Sequence, residues 1–262
     1  MTWSPMFLIR WLHKWFGLVL GLQFLLWSVS GATMALLDHH KVAAEDAVLP
    51  VAQSAAPADP LPLARVAEAV GAPILKLQLK PLYDAWVYEA TTPQGVRLVD
   101  ATRGEVLQID AAKGRELAVA RFSGSAPVRS VERVEKTTLE TRDIALPVWR
   151  VEFADPDRTT LLVSADTGEV LAAKNDTWRL WDIAWMLHIM DYRDRQSFNH
   201  PLIVTVGTGA AWLALSGLIL LFRSFRRADF AWVLAPLEAA SARRRSDPKL
   251  KAAPEAAAKD AH

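Results

Sequence analysis

Five of the six histidines stand at the edges of apolar stretches. His13 precedes, and His39 and His40 close, the stretch WFGLVLGLQFLLWSVSGATMALLDHH that runs from Trp15 to His40. His188 lies within WRLWDIAWMLHIMDY, and His200 immediately precedes Pro201, where a second apolar run begins. Imidazoles in such positions can anchor a helix at headgroup depth, or they can ligate a metal or haem iron. The chain has no cysteine. Disulfides, iron–sulfur clusters, thiol catalysis and haem attachment through C-x-x-C-H are thereby excluded, and any cofactor must be held by His, Met, Asp, Glu or backbone. The sequence contains no H-E-x-x-H, G-x-S-x-G, P-loop or dinucleotide fingerprint, so no hydrolase chemistry is expected. Asp100, Asp155, Asp157 and Asp166 sit in or beside polar turns and read as turn residues rather than acid–base pairs.

His188 carries the strongest signal. Trp178, Trp181, Trp185, His188 and Tyr192 recur every three or four residues, a helical stripe of aromatics with a single imidazole in it. That stripe suits a helix lying in a membrane interface. It equally suits a haem pocket with His188 as axial ligand and the indoles as walls. His200 joins His188 in space if the chain re-enters the membrane at Pro201. His39 and His40 point ~100° apart on any helix, so at most one of them faces a bundle. His13 and His39 would lie roughly 39 Å apart along one helix and cannot share a haem within a chain. His13 itself, beside Trp11, Lys14 and Trp15, is either an interfacial anchor or a ligand at the opposite edge. The distribution points to bis-His haem b near the edge that holds His39, His40, His188 and His200. His13 would then need its symmetry mate in a dimer, or a partner protein. Met34, Met186 and Met190 are lesser candidates, since thioethers mostly fill gaps. Asp38-His39-His40 offers too few ligands for a dedicated metal site.

Membrane elements must position these residues. Hydrophobic residues make up 52% of the chain, and there are 11 Trp. Trp15–Leu37 carries no charge and, at ~1.5 Å per residue, reaches roughly 34 Å, enough to cross a bilayer with some tilt. Residues 202–222 form a second uncharged span. Small residues lie within one broad arc of each: Gly17, Gly21, Ser28, Gly31 and Ala35 in the first, Thr205, Gly209 and Ser216 in the second. Such arcs let helices pack closely, on each other or as a homodimer through Gly17-x-x-x-Gly21. Arg10 and Lys14 precede the first span, and Arg223, Arg226 and Arg227 follow the second. By the positive-inside rule both termini are cytoplasmic and residues 38–201 are periplasmic, in a bacterial inner membrane. The net charge of +1 gives no pull toward nucleic acid.

Between the spans the sequence repeats itself. WVYEATTPQGVRLVDATRGEVL (Trp86–Leu107) and WRVEFADPDRTTLLVSADTGEVL (Trp149–Leu171) each give an alternating strand, a polar turn, a second alternating strand and a Gly-Glu-Val turn. A helix is expected before each copy, over 62–70 and 111–122. The expected organisation is a cytoplasmic N-terminus (1–14), a first transmembrane helix (15–37) and a linker (38–59). Two helix-plus-antiparallel-sheet repeats (60–110 and 111–174) and an amphipathic interfacial segment (175–201) come next. A second transmembrane helix (202–222) and a basic, largely disordered tail (223–262) complete it. The fold class is an α+β membrane protein, two transmembrane helices flanking the periplasmic pair of repeats.

LHKWFGLVLGLQFLLWSVSG, the D-A-T-R-G-E-V and A-D-T-G-E-V endings of the repeats, and WMLHIMDYRDRQSFNHPL leading into LSGLILLF together resemble the PepSY-associated transmembrane family of bacterial inner-membrane proteins. The resemblance covers roughly residues 8–225. Many relatives have four spans, so this chain is similar to a short two-span form. The resemblance implies PepSY-like repeats and places His13 of the L-H-x-W-x-G-L opening at a motif position. It implies one of two activities. One is haem-based electron transfer to a periplasmic acceptor such as ferric siderophore iron, often beside a redox partner. The other is a tethered module that binds or regulates a periplasmic peptidase or partner subunit. The expected cofactor is haem b, with His188, His39, His13, His200 and His40 as candidate ligands in that order. Ser30-Gly31-Ala32-Thr33 is similar to sites of FMN attachment through Thr. Trp27 stands where an acidic residue is usual there, so FMN at Thr33 is not expected.

Overall fold

The structure, a computed structural model, describes residues 5–51, 55–83, 85–225, 229 and 231–246. The chain divides into two compact units, residues 1–22 with 204–262 and residues 23–203. Among the described residues, two helices are long and apolar enough to cross a membrane: α1 (Pro5–Leu36) and α6 (Pro201–Ser224). Helix α1 begins at Pro5, well before the uncharged stretch from Trp15. Proline suits a first helical turn, whose amides lack intrahelical partners in any case.

In the first unit the start of α1 packs on α6 through small residues. A Cβ on Gly209 would lie 3.3 Å from Leu20 Cδ1, and one on Gly17 would lie 3.8 Å from Leu213 Cδ1. Phe16 and Trp212 meet with ring centroids 4.8 Å apart. Leu20, Leu213 and Ser216 are buried, whereas Leu18, Val19 and Phe222 are largely exposed, as lipid-facing side chains must be. Gly21 and Gly207 meet nothing within 4 Å. The tail departs from expectation. Ala231–Ser246 forms a helix, α7, where composition from Leu237 onward reads as disordered. Ala, Leu, Glu and Arg dominate this stretch, and all are strong helix formers. Residues 247–262, and Arg226 and Arg227 of the charge argument, lie outside the described residues.

In the second unit, β1 (Lys76–Leu82), β2 (Ala85–Thr92), β3 (Gly95–Asp100) and β4 (Val106–Leu107) form an antiparallel meander. β5 (Val128–Val134), β6 (Val148–Phe153), β7 (Thr160–Ser164) and β8 (Val170–Lys174) form a second in the same order. The repeat is real at the level of single bonds. Asp100 N donates to Glu105 O at 2.9 Å, and Ser164 N donates to Glu169 O at 2.8 Å. Gly104 and Gly168 close the two turns at φ +76° and +70°, a region where any side chain is strained. Each sheet also has a first strand, β1 or β5, outside the Trp-led hairpin seen in sequence.

Alternation along the strands sorts the core. Tyr88, Ala90, Val99 and Ala101 face α3 (Leu63–Val70) through Val66 and Val70. Leu82, Val87 and Leu98 join Leu117 and Ala118 of α4 (Ala111–Arg121) and Trp149, Val151, Phe153, Leu161 and Val163 of the second sheet. One core thus unites both repeats. At ~1.5–3 kcal/mol per fully buried aliphatic side chain, it is the main stabilising term of this unit. Lys80 adds a polar clamp between the repeats, paired with Glu89 and with Glu169 Oε1 at 2.7 Å. The other side of the second sheet is polar. Glu140 there accepts from Arg150 Nε and from Arg179 Nη2 of α5 (Asp176–Ile189), both at 2.9 Å. Burial works against the Glu140 charge, but the two guanidiniums outweigh it and hold the carboxyl below its usual range.

Two expected boundaries change. The stretch 38–59, expected as a linker, contains α2 (His39–Ala43) and a 3₁₀ turn (Glu45–Ala47). Val48 then bridges to Phe122, and the Lys41 carbonyl accepts from Asn175 Nδ2 at 2.7 Å. Backbone partners in the second repeat hold this stretch, which apolar periodicity does not reveal. The aromatic stripe stops early. Helix α5 ends at Ile189, because Met190 takes a left-handed conformation, so Tyr192 is off the helix and exposed. Its first turns pack on the second repeat rather than on lipid alone: Trp178 is buried, with Lys174 Nζ 3.9 Å from its ring centroid.

Candidate functional site

Two imidazoles are held by one device, repeated. Ser30 lies inside α1, and its Oγ donates to the Leu26 carbonyl at 2.6 Å, the usual back-bond of a helical serine. His188, in the last turn of α5, places Nδ1 3.1 Å from that same Oγ. The hydroxyl hydrogen is already committed, so Ser30 Oγ accepts and His188 Nδ1 carries the hydrogen. Nε2 is left with a free lone pair, the atom a metal centre takes. Gly31 makes room: a Cβ there would come within 3.3 Å of His188 Cε1. In the other unit His13 Nδ1 lies 2.8 Å from Ser216 Oγ, which donates to Leu213 O at 3.0 Å. A Cβ on Gly217 would come within 3.0 Å of His13 Cε1. Each imidazole thus rests on a Ser-Gly pair, with Nδ1 pinned and Nε2 free.

The other candidates are engaged differently. His200 donates from Nε2 to the Ile189 carbonyl at 3.1 Å, so its lone pair is on Nδ1. That bond ties its ring to the residue after His188 and satisfies an end carbonyl of α5. His40 is exposed, and its Nδ1 meets Glu45 Oε2 at 2.7 Å; the hydrogen bond and charge of Glu45 raise its pKa above 6.5. His39 is exposed on α2, and Asp38 caps that helix through the His40 amide at 2.9 Å. The structure therefore brings His188 and His200 to one helix end and leaves His39 and His40 facing outward. His13 belongs to the other unit. Among the described residues, no three His, Cys, Asp or Glu side chains are placed to hold a metal ion together. The Thr33 hydroxyl back-bonds to Val29 O at 2.9 Å.

Two further polar groups share the α1 face of Ser30 and Gly31. Gln23 Nε2 and Trp27 Nε1 are buried donors without acceptors among the described residues. Buried N–H groups of this kind cost about 1–3 kcal/mol each unless a bound group supplies oxygen acceptors. A haem fits this donor set in part. His188 and His13 would be the residues to hold its iron, and the orphaned donors would suit carboxylate oxygens. The second axial imidazole is not presented beside either within the chain. The two serines and the two orphaned donors were not legible as site residues, although Leu-His occurs twice, at 12–13 and 187–188, and Ser-Gly three times, at 30–31, 123–124 and 216–217.

The four aspartates are turn residues. Asp100 Oδ1 accepts from the Thr102 and Arg103 amides at 2.9 and 2.7 Å, and Asp155 Oδ1 accepts from the Thr159 amide at 2.7 Å. The Asp157 carbonyl accepts from the Asp176 amide at 2.9 Å, and the Asp166 amide donates to Ser164 Oγ at 3.2 Å.

A family model described as the PepSY-associated TM region matches residues 10–250. No curated protein and no solved structure gives a match.

Proposed function

The chain belongs to the PepSY-associated transmembrane family and is a membrane protein, and from that premise we propose that it binds haem b at His188 and His13 and transfers electrons to an acceptor outside the inner membrane. The observation that carries this reading is the paired Ser–His geometry, which leaves Nε2 of each imidazole free and its ring fixed in orientation. Bound haem would supply a one-electron carrier, and its ligands and surroundings would set the potential. The chain's own part is to fix the tautomer through Ser30 and Ser216 and to keep water from the iron. A second copy or a redox partner subunit would complete the axial sets. Ferric iron, free or in a siderophore, is the acceptor the family resemblance favours. Both termini are then cytoplasmic and residues 38–201 periplasmic. Purified protein from a haem-replete host is expected to show a reduced Soret and α-band. His188→Ala and His13→Ala should each remove part of it. Colourless protein, or bands indifferent to both substitutions, would refute the proposal.

One observation favours a second reading, a tethered docking module. A cavity of about 560 Å³ opens where the two repeats meet, lined by Arg97, Gln108, Arg133 and Trp149 among others. A peptidase or partner segment held there would make function survive loss of the histidines and fail on substitution of Arg133 and Trp149.

A further inference from the structure

The two membrane-crossing helices place two cations at hydrocarbon depth. Helices α1 and α6 run antiparallel, and their contacts fix the register. Phe16 meets Trp212, Gly17 faces Leu213, Leu20 faces Gly209, and His13 reaches Ser216 and Gly217. Each step toward the N-terminus of α1 is thus matched by one step toward the C-terminus of α6. Lys14 is level with Leu215 and Ser216, and Arg10 is level with Ile219 and Leu220. The first cation of α6 is Arg223. At ~1.5 Å per residue, Arg10 lies roughly 5 Å and Lys14 roughly 11 Å deeper along the helix pair than Arg223. The α6 side chains of that stretch include Leu215, Leu218, Ile219 and Phe222, all apolar and exposed, so the stretch belongs in lipid rather than in water.

Both cations lie on the side of α1 turned away from α6. Phe7, Trp11, Lys14, Trp15 and Leu18 recur every three or four residues with Arg10 beside them, and all are exposed. His13, Phe16, Gly17 and Leu20 take the opposite side. Trp11 and Trp15 meet edge-on at 6.4 Å, and Lys14 Nζ lies 5.4 Å from the Trp15 ring centroid. Among the described residues neither cation has a side-chain hydrogen bond or an ion pair. No carboxylate balances them within the spans. The sequence holds no acidic residue before Asp38, which lies beyond the far end of α1, and none from 195 until Asp229, which lies beyond the end of α6. A charge at this depth is costly unless its long side chain reaches an acceptor near the headgroups. The spans supply none, so the acceptor comes from outside the chain. Guanidinium, ammonium and two indoles on one lipid-facing surface match an anionic head on an apolar body.

We propose that Arg10 and Lys14 bind the phosphate of an anionic phospholipid, with Trp11 and Trp15 along its glycerol and upper acyl chains. The spans offer no carboxylate to receive the ammonium of a zwitterionic headgroup, so the site selects for net negative charge. The inference is independent of the haem reading, because His13 is turned to Ser216 on the other side of α1. The test titrates detergent-purified full-length protein with phosphatidylglycerol and with phosphatidylcholine and counts bound lipid by native mass spectrometry. Phosphatidylglycerol is expected to bind about tenfold more tightly. One cation near the membrane surface is worth about fivefold, so Arg10→Gln and Lys14→Gln should each weaken phosphatidylglycerol by about that factor and leave phosphatidylcholine unchanged. Lys14→Arg should retain binding. Arg193→Gln removes the same charge outside this face and should change nothing; a loss equal to that of Lys14→Gln would reduce the effect to net charge and overturn the proposal. Equal retention of the two lipids also overturns it, and points instead to an acidic transmembrane segment of a partner subunit as the neutralising group. Displacement of the lipid by millimolar inorganic phosphate would assign the cations to a soluble anion and likewise overturn it. Should a Gln variant fail to fold or insert, the two-lipid comparison on the unaltered chain and its response to phosphate still decide.

Discussion

At the scale of residues, direction of hydrogen bonding matters more than proximity. Where a helix carbonyl takes the one hydrogen of Ser30 or Ser216, the hydroxyl can only accept from the imidazole, and Nδ1 is then the donor. The same logic, one carboxylate gathering several donors, governs Asp100. Burial works against its charge, but the amides of Arg103 and Thr102, the Thr102 hydroxyl and the Arg103 guanidinium outweigh it and hold the carboxyl at about 2, against an ordinary 3.8. Its folded-state pKa is depressed, so its stabilisation is complete above pH 3.8 and disappears as pH falls through 2. The effect is on the order of 2 kcal/mol. Denaturant unfolding measured across that window should show a loss of stability that shrinks in Asp100→Ala. An unchanged loss would mean that other carboxylates dominate. The position is legible in the sequence as the first residue of D-A-T-R-G-E-V, but its bonds are not. In the second repeat Ser164 does the same work with a hydroxyl, taking the Asp166 and Thr167 amides at 3.2 and 3.0 Å.

At the scale of elements, close approach rather than propensity explains the placement of α4 and α5. Trp149 lies across α4 at Gly114, where a Cβ would come within 2.8 Å of the indole, and its Nε1 donates to the Ile109 carbonyl at 2.7 Å. Gly114→Ala gains helix propensity yet must push the indole off that bond. Thermal unfolding should report a net loss of about 1–3 kcal/mol, and a gain would show that the contact relaxes freely. Helix α5 is set by its ends. The Asn175 side chain accepts from the Trp178 amide at 2.7 Å while its own amide reaches Lys41 O, and Met190 turns left-handed to stop it. Both strand pairs led by Trp86 and Trp149 were legible because alternation is a local signal. β1 and β5 do not read as partners in sequence because KLQLKPL and VRSVERV share no residues in register, and VRSVERV spaces its valines three apart, with a register shift between Val128 and Ser130.

At the scale of the whole molecule, the chain is a membrane protein whose apolar helices bracket a duplicated α+β module. The proposed orientation rests on Arg10 and Lys14 at one end and Arg223 at the other. A phosphatase reporter inserted in the turn at Pro93–Gln94 is expected to be active and one fused after Ser246 inactive, with the reverse for a cytoplasmic reporter. Equal activity at both sites would contradict the assigned topology. The result bears on function as well, because it decides which side of the membrane His188 serves.

Two spans, two repeats, their turns and the choice of histidines as candidate ligands were determined by sequence alone. Each depends on a local period, a run length or a residue type that no distant contact can alter. The partners of those histidines were decided only by tertiary structure. Whether an imidazole rests on Ser-Gly, on a carbonyl or on a carboxylate depends on residues up to 203 positions away. A hydroxyl whose own hydrogen is taken by a carbonyl is left only to accept from the imidazole. Likewise, nothing local reveals that Arg142, Asp182 and Arg195 share one buried site, because the fold alone brings a strand connection, a helix and a loop to the same carboxylate.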